Sequence, residues 1–236
     1  MIPKIIHISW KDKSVVDSQS DLIVNGLKNL IALNPGWDVQ ISTDEEVDSY
    51  LKQTLDEEDY ALVADVGIVA KTDLWRLLKL FEVGGVYIDI DRLCNKPLDP
   101  LLEDGVKWVL PICGNMDFSH DFMMTAPGNP AYANTIKLYL DRRRAGHTNI
   151  YFLGAQTYMH GVTYTLFGEM IDSNPGEERF GKIREHISQI PFIRAHQELP
   201  PNNTVMYQGD ITPEGWESMK RKFYADSGIK HWTGEW

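Results

Sequence analysis

The segment Gly84-Gly85-Val86-Tyr87-Ile88-Asp89-Ile90-Asp91 does most to restrict what this chain can fold into. A helix-stopping glycine pair leads into a short, nearly unbroken apolar run. Such a run marks a strand covered on both faces. Covering both faces needs helices on either side of a mostly parallel sheet, which is an α/β fold. Just upstream, Ala61 to Glu82 carries apolar residues at helical spacing, with Leu74, Leu77, Leu78 and Phe81 on the face turned inward.

The flanking sequence repeats this alternation. Ile2 to Trp10 opens as a β-branched apolar strand and breaks into a polar loop. Asp21 to Leu33 predicts a helix, Asn34-Pro35-Gly36 stops it, and Trp37 to Ser42 alternates as a second strand. Together they have the size of a βαβ unit. Thr43 is placed to cap a helix whose first turn, Asp44-Glu45-Glu46, suits the helix dipole. Lys107 to Ile112 and Phe122 to Thr125 predict further strands, and Pro130 to Arg144 a helix that ends in a solvated basic run, Arg142-Arg143-Arg144. From Gly154 onward the Gly-, Pro- and His-containing segments predict loops over a site more than a regular layer. No repeat or linker divides the 236 residues, so residues 1–236 are expected to form a single domain.

The central strand is expected to end in Asp89-Ile90-Asp91, two carboxylates on one face because strand side chains alternate. Two like charges at the end of a buried strand need a counterion. A hard divalent cation, Mg2+ or Mn2+, takes one or two carboxylates together with substrate phosphates and water. Asp73 and Arg76, at i and i+3 on the preceding helix, face the same way. A carboxylate can accept bonds from sugar hydroxyls, and a guanidinium offers fork donors to it or to phosphate.

A net charge of -11 argues against nucleic-acid polymers and polybasic membrane binding. No apolar run approaches the roughly 18–20 residues of a membrane span, and the N-terminus lacks a secretory apolar core. These features predict a cytoplasmic protein without an integral membrane segment. Cys94 and Cys113 fit buried thiols in a reducing compartment. His7, His120, His147, His160, His186 and His196 show no metal-site spacing and are expected to be structural. Asp121 and Gln156 lie near turns in the C-terminal half, where either is a candidate to stand beside the reacting carbon.

The ordered block Asp73, Arg76, Gly84-Gly85, Tyr87, Asp89 and Asp91 resembles the signature of the DXD-motif sugar-binding glycosyltransferases. That family includes yeast-type initiating α-1,6-mannosyltransferases and α-1,4-galactosyltransferases, and clostridial cytotoxin glucosyltransferase domains share the pattern. Ile2 to Trp10 and Asn34 to Asp44 are similar to the segments that open these enzymes. His231-Trp-Thr-Gly-Glu-Trp236 resembles their closing motif, with Glu235 where a serine is usual; between about 130 and 225 the likeness is faint.

The resemblance implies a glycosyltransferase A type α/β/α sandwich, with residues 1–100 binding nucleotide sugar and metal and residues 101–236 supplying the acceptor half and a closing C-terminal segment. It implies that Trp10 stacks on the nucleobase, Tyr87 lines the ribose or sugar pocket, and Asp73 and Arg76 bind donor hydroxyls. Asp89 and Asp91 would hold Mn2+ or Mg2+, His231 would complete the metal or diphosphate site, and Trp236 would seal it. The implied reaction moves a hexose from UDP-glucose, UDP-galactose or GDP-mannose to a hydroxyl acceptor with retention, the acceptor being a glycan, as in polysaccharide biosynthesis. A nucleotide-sugar hydrolase, a toxin-like protein glycosyltransferase and a nucleotide-sugar-binding module are the alternatives.

Overall fold

The computed structural model describes residues 1–94, 96–103, 105–112, 116–197 and 213–229. Its strands are β1 (Ile5–Ser9), β2 (Asp38–Ser42), β3 (Gly85–Ile88), β4 (Trp108–Ile112), β5 (Phe122–Thr125) and β6 (Ile193–Gln197). They form one sheet in the order β2-β1-β3-β5-β4-β6. The pairs β1–β2, β1–β3 and β4–β6 are parallel, and only β5 runs against its neighbours. Period-two alternation divides the strand side chains between two cores. Tyr87, Trp108, Leu110 and Met123 face one, while Ile6, Ile8, Val86, Val109 and Phe122 face the other. Helices cover both faces, as an α/β/α sandwich requires.

The expected βαβ unit is present. Helices α1 (Asp21–Ile23) and α2 (Asn29–Leu33) are joined through a π-helical turn, Val24–Lys28, and Asn34 caps the end. Thr43 and Glu46 form a reciprocal capping box at the start of α3 (Asp44–Thr54). The long helix predicted from Ala61 is in fact two. A short α4 (Glu57–Ala61) ends in a turn, and α5 (Ile68–Glu82) begins behind Gly67. Leu74 and Leu80 of α5 are fully buried against the sheet, which contributes about 1.5–3 kcal/mol for each such side chain.

The C-terminal half departs from the sequence expectation. After α6 (Pro130–Arg144) come α7 (Ile150–Leu153), α8 (Ala155–Phe167), α9 (Glu177–Ser188), strand β6 and α10 (Pro213–Ser227). Among the described residues beyond Gly154 most therefore belong to helices and a strand and not to loops. These helices are recognisable by packing: Gly161 of α8 lets Thr135 of α6 come into backbone contact. Nor is the basic run at the end of α6 simply solvated. Arg142 is buried and donates to the Phe152 carbonyl at 2.6 Å and to the Thr157 hydroxyl at 2.5 Å. Arg143 donates to the Leu62 carbonyl at 2.9 Å, and Arg144 pairs with Asp59 and Asp141.

Among the described residues no helix is long and apolar enough to cross a membrane. Cys94 is buried, donates to the Lys96 carbonyl at 3.3 Å, and burial raises its pKa to about 11.

Candidate active site

A cavity of about 650 Å³ opens at the carboxyl ends of β1, β3 and β4, where open α/β sheets receive ligands. Its floor is the end of β3, set by the glycine pair. Both Gly84 and Gly85 have positive φ, +73° and +101°, and a Cβ on Gly85 would stand 2.5 Å from the Ile5 carbonyl. The pair turns the chain from α5 into the sheet, and buried His7 fixes it through a 3.0 Å hydrogen bond between Nε2 and the Gly84 carbonyl.

The strand stops at Ile88, three residues earlier than the alternation argument requires. Asp89 to Arg92 is a turn, closed by the Arg92 amide on the Asp89 carbonyl at 3.1 Å. The carboxylates of Asp89 and Asp91 therefore owe their positions to this turn and not to a shared strand face. Both still line the cavity.

Around Asp89 the buried groups are tightly matched. The Tyr87 hydroxyl donates to Oδ1 of Asp89 at 2.5 Å, and Arg76 reaches the same oxygen at 3.3 Å. The guanidinium lies 4.2 Å from the centre of the Tyr87 ring, donates to the His120 carbonyl at 2.7 Å, and pairs with Asp73 at 2.8 Å. Burial opposes the charge of Arg76, yet Tyr87, Asp89, Asp73 and Asp91 together hold its pKa above the ordinary value. For Asp73, burial outweighs the attraction to Arg76 and pushes the carboxyl up to about 6. Asp89 is raised for the same reason, with the Asp91 charge adding to burial. The cluster is thus one buried cation facing several acids.

Asp91 is addressed from α10. Lys220 Nζ stands 3.1 Å from its Oδ2, the Tyr224 hydroxyl is 3.3 Å from the same atom, and the Trp216 indole donates to the Asp91 carbonyl at 2.8 Å. Trp10 stacks on Phe223 of that helix, with ring centres 5.0 Å apart and planes 28° from parallel. It lines the cavity with Tyr224.

The opposite wall is the link into β5. Asp121 lines the cavity, accepts the Ser119 hydroxyl, and is ion-paired with Arg92; its carbonyl receives the Asp89 amide at 2.9 Å. Gln156, expected beside the reacting carbon, does not line the cavity. Its amide is engaged by Asp172 at 3.0 Å and His160 at 2.6 Å in a buried cluster with Arg142. His231 and Trp236, with Glu235 and Cys113, lie outside the described residues.

Two further residues line the cavity: Asp117, which the sequence did not mark, and His120, which it marked as structural. His120 has Nε2 3.8 Å from Asp73, and burial together with Arg76 and Arg92 pushes its pKa down to about 3. Asp117 is 5% exposed, and burial raises its carboxyl pKa against the Ser173 hydroxyl and the Phe118 amide. Their signal was positional: both lie in the connection that leaves the carboxyl end of a central strand.

Asp89 and Asp91 offer the hard oxygen donors that a magnesium or manganese ion takes when substrate phosphates and water fill its remaining positions. Among the described residues no group of three acids, histidines or cysteines could hold a metal by itself. A two-carboxylate site completed by substrate is the arrangement these residues fit.

Residues 20–107 match the family model described as a glycosyltransferase sugar-binding region containing a DXD motif. Over that stretch the chain is similar to this family. The matched stretch holds Asp73, Arg76, Tyr87, Asp89 and Asp91. Its relatives include inositol phosphoceramide mannosyltransferase 1 of Schizosaccharomyces pombe, 31% identical over 134 residues, which are 55% of this chain and 40% of that enzyme. A mannosyl phosphorylinositol ceramide synthase of Saccharomyces cerevisiae is 31% identical over 144 residues, 58% of this chain and 35% of the yeast protein. The DXD-containing chain thus spans less than half the length of these relatives. The solved PaToxG glycosyltransferase superimposes with a TM-score of 0.55 at 17% identity, covering 96% of this chain and 87% of that one. This likeness places the fold among the glycosyltransferase A type sandwiches.

Proposed function

We propose that the protein is a divalent-metal-dependent hexosyltransferase that moves a sugar from a nucleotide diphosphate donor to a hydroxyl acceptor with retention of anomeric configuration. The observation that carries this reading is the convergence of Asp73, Arg76, Tyr87, Asp89 and Asp91 on one cavity at the strand ends. Trp10 takes the nucleobase on the face not covered by Phe223. Asp73, ionised above about pH 6, accepts hydrogen bonds from donor hydroxyls, and Arg76 holds it in place. Asp89 and Asp91 hold the cation, which when bound supplies Lewis-acid stabilisation of the departing diphosphate. With a net charge of -11 and acids lining the cavity, donor binding depends on that cation. No carboxylate stands out as a covalent nucleophile, so attack from the leaving-group side is favoured, and the likeness to yeast mannosyltransferases puts a mannosyl donor first.

The test is a panel of UDP-glucose, UDP-galactose and GDP-mannose, each with and without manganese, read by thermal shift and by release of UDP or GDP. A manganese-dependent shift with one donor is expected; no response to any of them removes the reading. Release that is unchanged by every hydroxyl acceptor favours the hydrolase instead. Proton NMR of the product checks the stereochemistry, and a β linkage from an α donor rules out retention.

A further inference from the structure

The cavity has two chemically different ends, and contacts run from one to the other. Trp10 and Tyr224 stand at the first end, and Tyr224 touches Asp91. Beyond the motif come Arg76, then Asp73, which pairs with Arg76 at 2.8 Å and lies 3.8 Å from His120. Past Asp73 the chain of α7 and α8 closes in: a Cβ on Gly154 would be 2.5 Å from the Asp73 carboxylate. The far end therefore belongs to α7, the start of α8 and the residues before β5. If the base and diphosphate occupy the first end and the sugar lies over Asp73, the far end faces the sugar from the side opposite the base.

Two features there lack any role in holding the donor. The Asp117 carboxylate, only 5% exposed, lines the cavity while accepting its neighbour's Phe118 amide at 2.8 Å. It follows Met116, whose φ of +62° is a strained backbone for a residue with a side chain, and such strain gathers where a side chain must be aimed. Tyr151 contributes a ring that is 44% exposed although it lines the cavity. It sits in the single turn α7, which Asn149 caps by accepting the Phe152 amide at 2.9 Å. Ile68 and Ile150 continue the apolar surface beside it.

A buried acceptor of hydrogen bonds and an open aromatic face together match a polyhydroxylated ring, whose C–H face packs on an aromatic side chain while its hydroxyls need partners. We propose that this end of the cavity is the acceptor subsite, with the Tyr151 ring as the platform for an acceptor sugar and Asp117 as the group that orients its attacking hydroxyl. This rests on the transferase reading. In the step it serves, the bond from the anomeric carbon to the diphosphate oxygen breaks with its electron pair going to the leaving group. The acceptor oxygen forms the new bond, and its proton passes to the departing phosphate. Asp117 positions the hydroxyl and keeps no proton.

The experiment uses methyl α-mannoside, methyl α-galactoside and methyl α-glucoside as probes on the full chain loaded with manganese and UDP or GDP. Saturation-transfer NMR reads probe binding, and calorimetry reads the nucleotide Kd. Asp117→Ala and Tyr151→Ala are compared with the parent protein, and Asp117→Asn, which retains an oxygen acceptor, is expected to recover part of the signal. Exposed Tyr151 keeps the test usable should Asp117→Ala fail to fold. The expected result is loss of the probe signal, or at least a tenfold rise in the acceptor KM where a probe is also a substrate, with the nucleotide Kd changed less than twofold. A probe signal untouched by Tyr151→Ala overturns the subsite, as does a nucleotide Kd that rises together with the loss. If no methyl hexoside gives a signal on the nucleotide-loaded parent protein, the sugar-ring assignment fails. A parent protein that binds neither nucleotide overturns the donor reading beneath it.

Discussion

The ammonium of Lys220 lies 3.1 Å from Oδ2 of Asp91, joining the last described helix to the second acid of the DXD motif. Both side chains are almost fully withdrawn from solvent, at 11% and 10% exposure. A cation so placed offsets part of the repulsion between Asp91 and Asp89. It also ties α10, which carries the aromatic neighbours of Trp10, to the turn that holds the motif's two acids.

A double-mutant cycle with Lys220→Met and Asp91→Asn measures this link. Groups in one ion-paired network couple by about 0.5–3 kcal/mol. We expect each single variant to lower stability in urea and the pair to lose less than the sum. Strictly additive losses would mean that the contact contributes nothing.

Asp91→Asn alone should leave the fold intact and abolish manganese-stimulated release of nucleoside diphosphate. Its effect on manganese affinity, read by electron paramagnetic resonance, should exceed the about 10–100-fold that partners outside the coordination sphere contribute. Unchanged turnover would remove Asp91 from the metal site.

Gly154→Ala is expected to act on Asp73 without touching the motif. The new methyl meets the carboxylate at 2.5 Å, so one of them must move. Overpacking of this kind costs about 1–3 kcal/mol. Donor affinity should fall along with stability, which calorimetry with the nucleotide sugar and urea unfolding measure side by side. Affinity equal to the parent's would show that Asp73 is free to step aside.

His120 gives stability a defined pH dependence. Its folded pKa, about 3, lies below the unfolded value of 6.5, so the neutral ring is the form the fold accepts. Its contribution is complete above pH 6.5 and declines as the pH falls from there toward 3, because only the unfolded chain takes up the proton in that window. Replacing it in His120→Asn should flatten the fall in urea midpoint between pH 6.5 and 4. Parallel curves for variant and parent would falsify the assignment.

The N-terminal half was largely legible because its signals are local. Thr43 and Glu46 spell a capping box, Asn34-Pro35-Gly36 a stop, and Gly84-Gly85 an entry into a buried strand, and each is found in place. Where the sequence misled, the deciding interactions were distant. Arg142 looks solvated until α7 and α8 fold back over it, and α10 is a half-polar helix whose meaning lies in Asp91. The layer of α8 and α9 was missed because its glycines serve close packing and capping, as Gly161 does against Thr135, while in a one-dimensional reading glycine suggests a loop. Within the site, Asp73 and Arg76 were visible at i, i+3 spacing, whereas Asp117 and His120 depend on a link whose placement only the finished sheet defines.

The stacking of Trp10 on Phe223 brings residues from near the start and near the end of the described chain into one wall. During synthesis the motif and strands β1 to β5 leave the ribosome long before that wall can close. A nascent chain short of α10 holds the acids of the motif without the aromatic partner of Trp10 or the ammonium of Lys220. This wall therefore closes only once the chain has been made through α10, and it does not grow in proportion to the sheet already assembled.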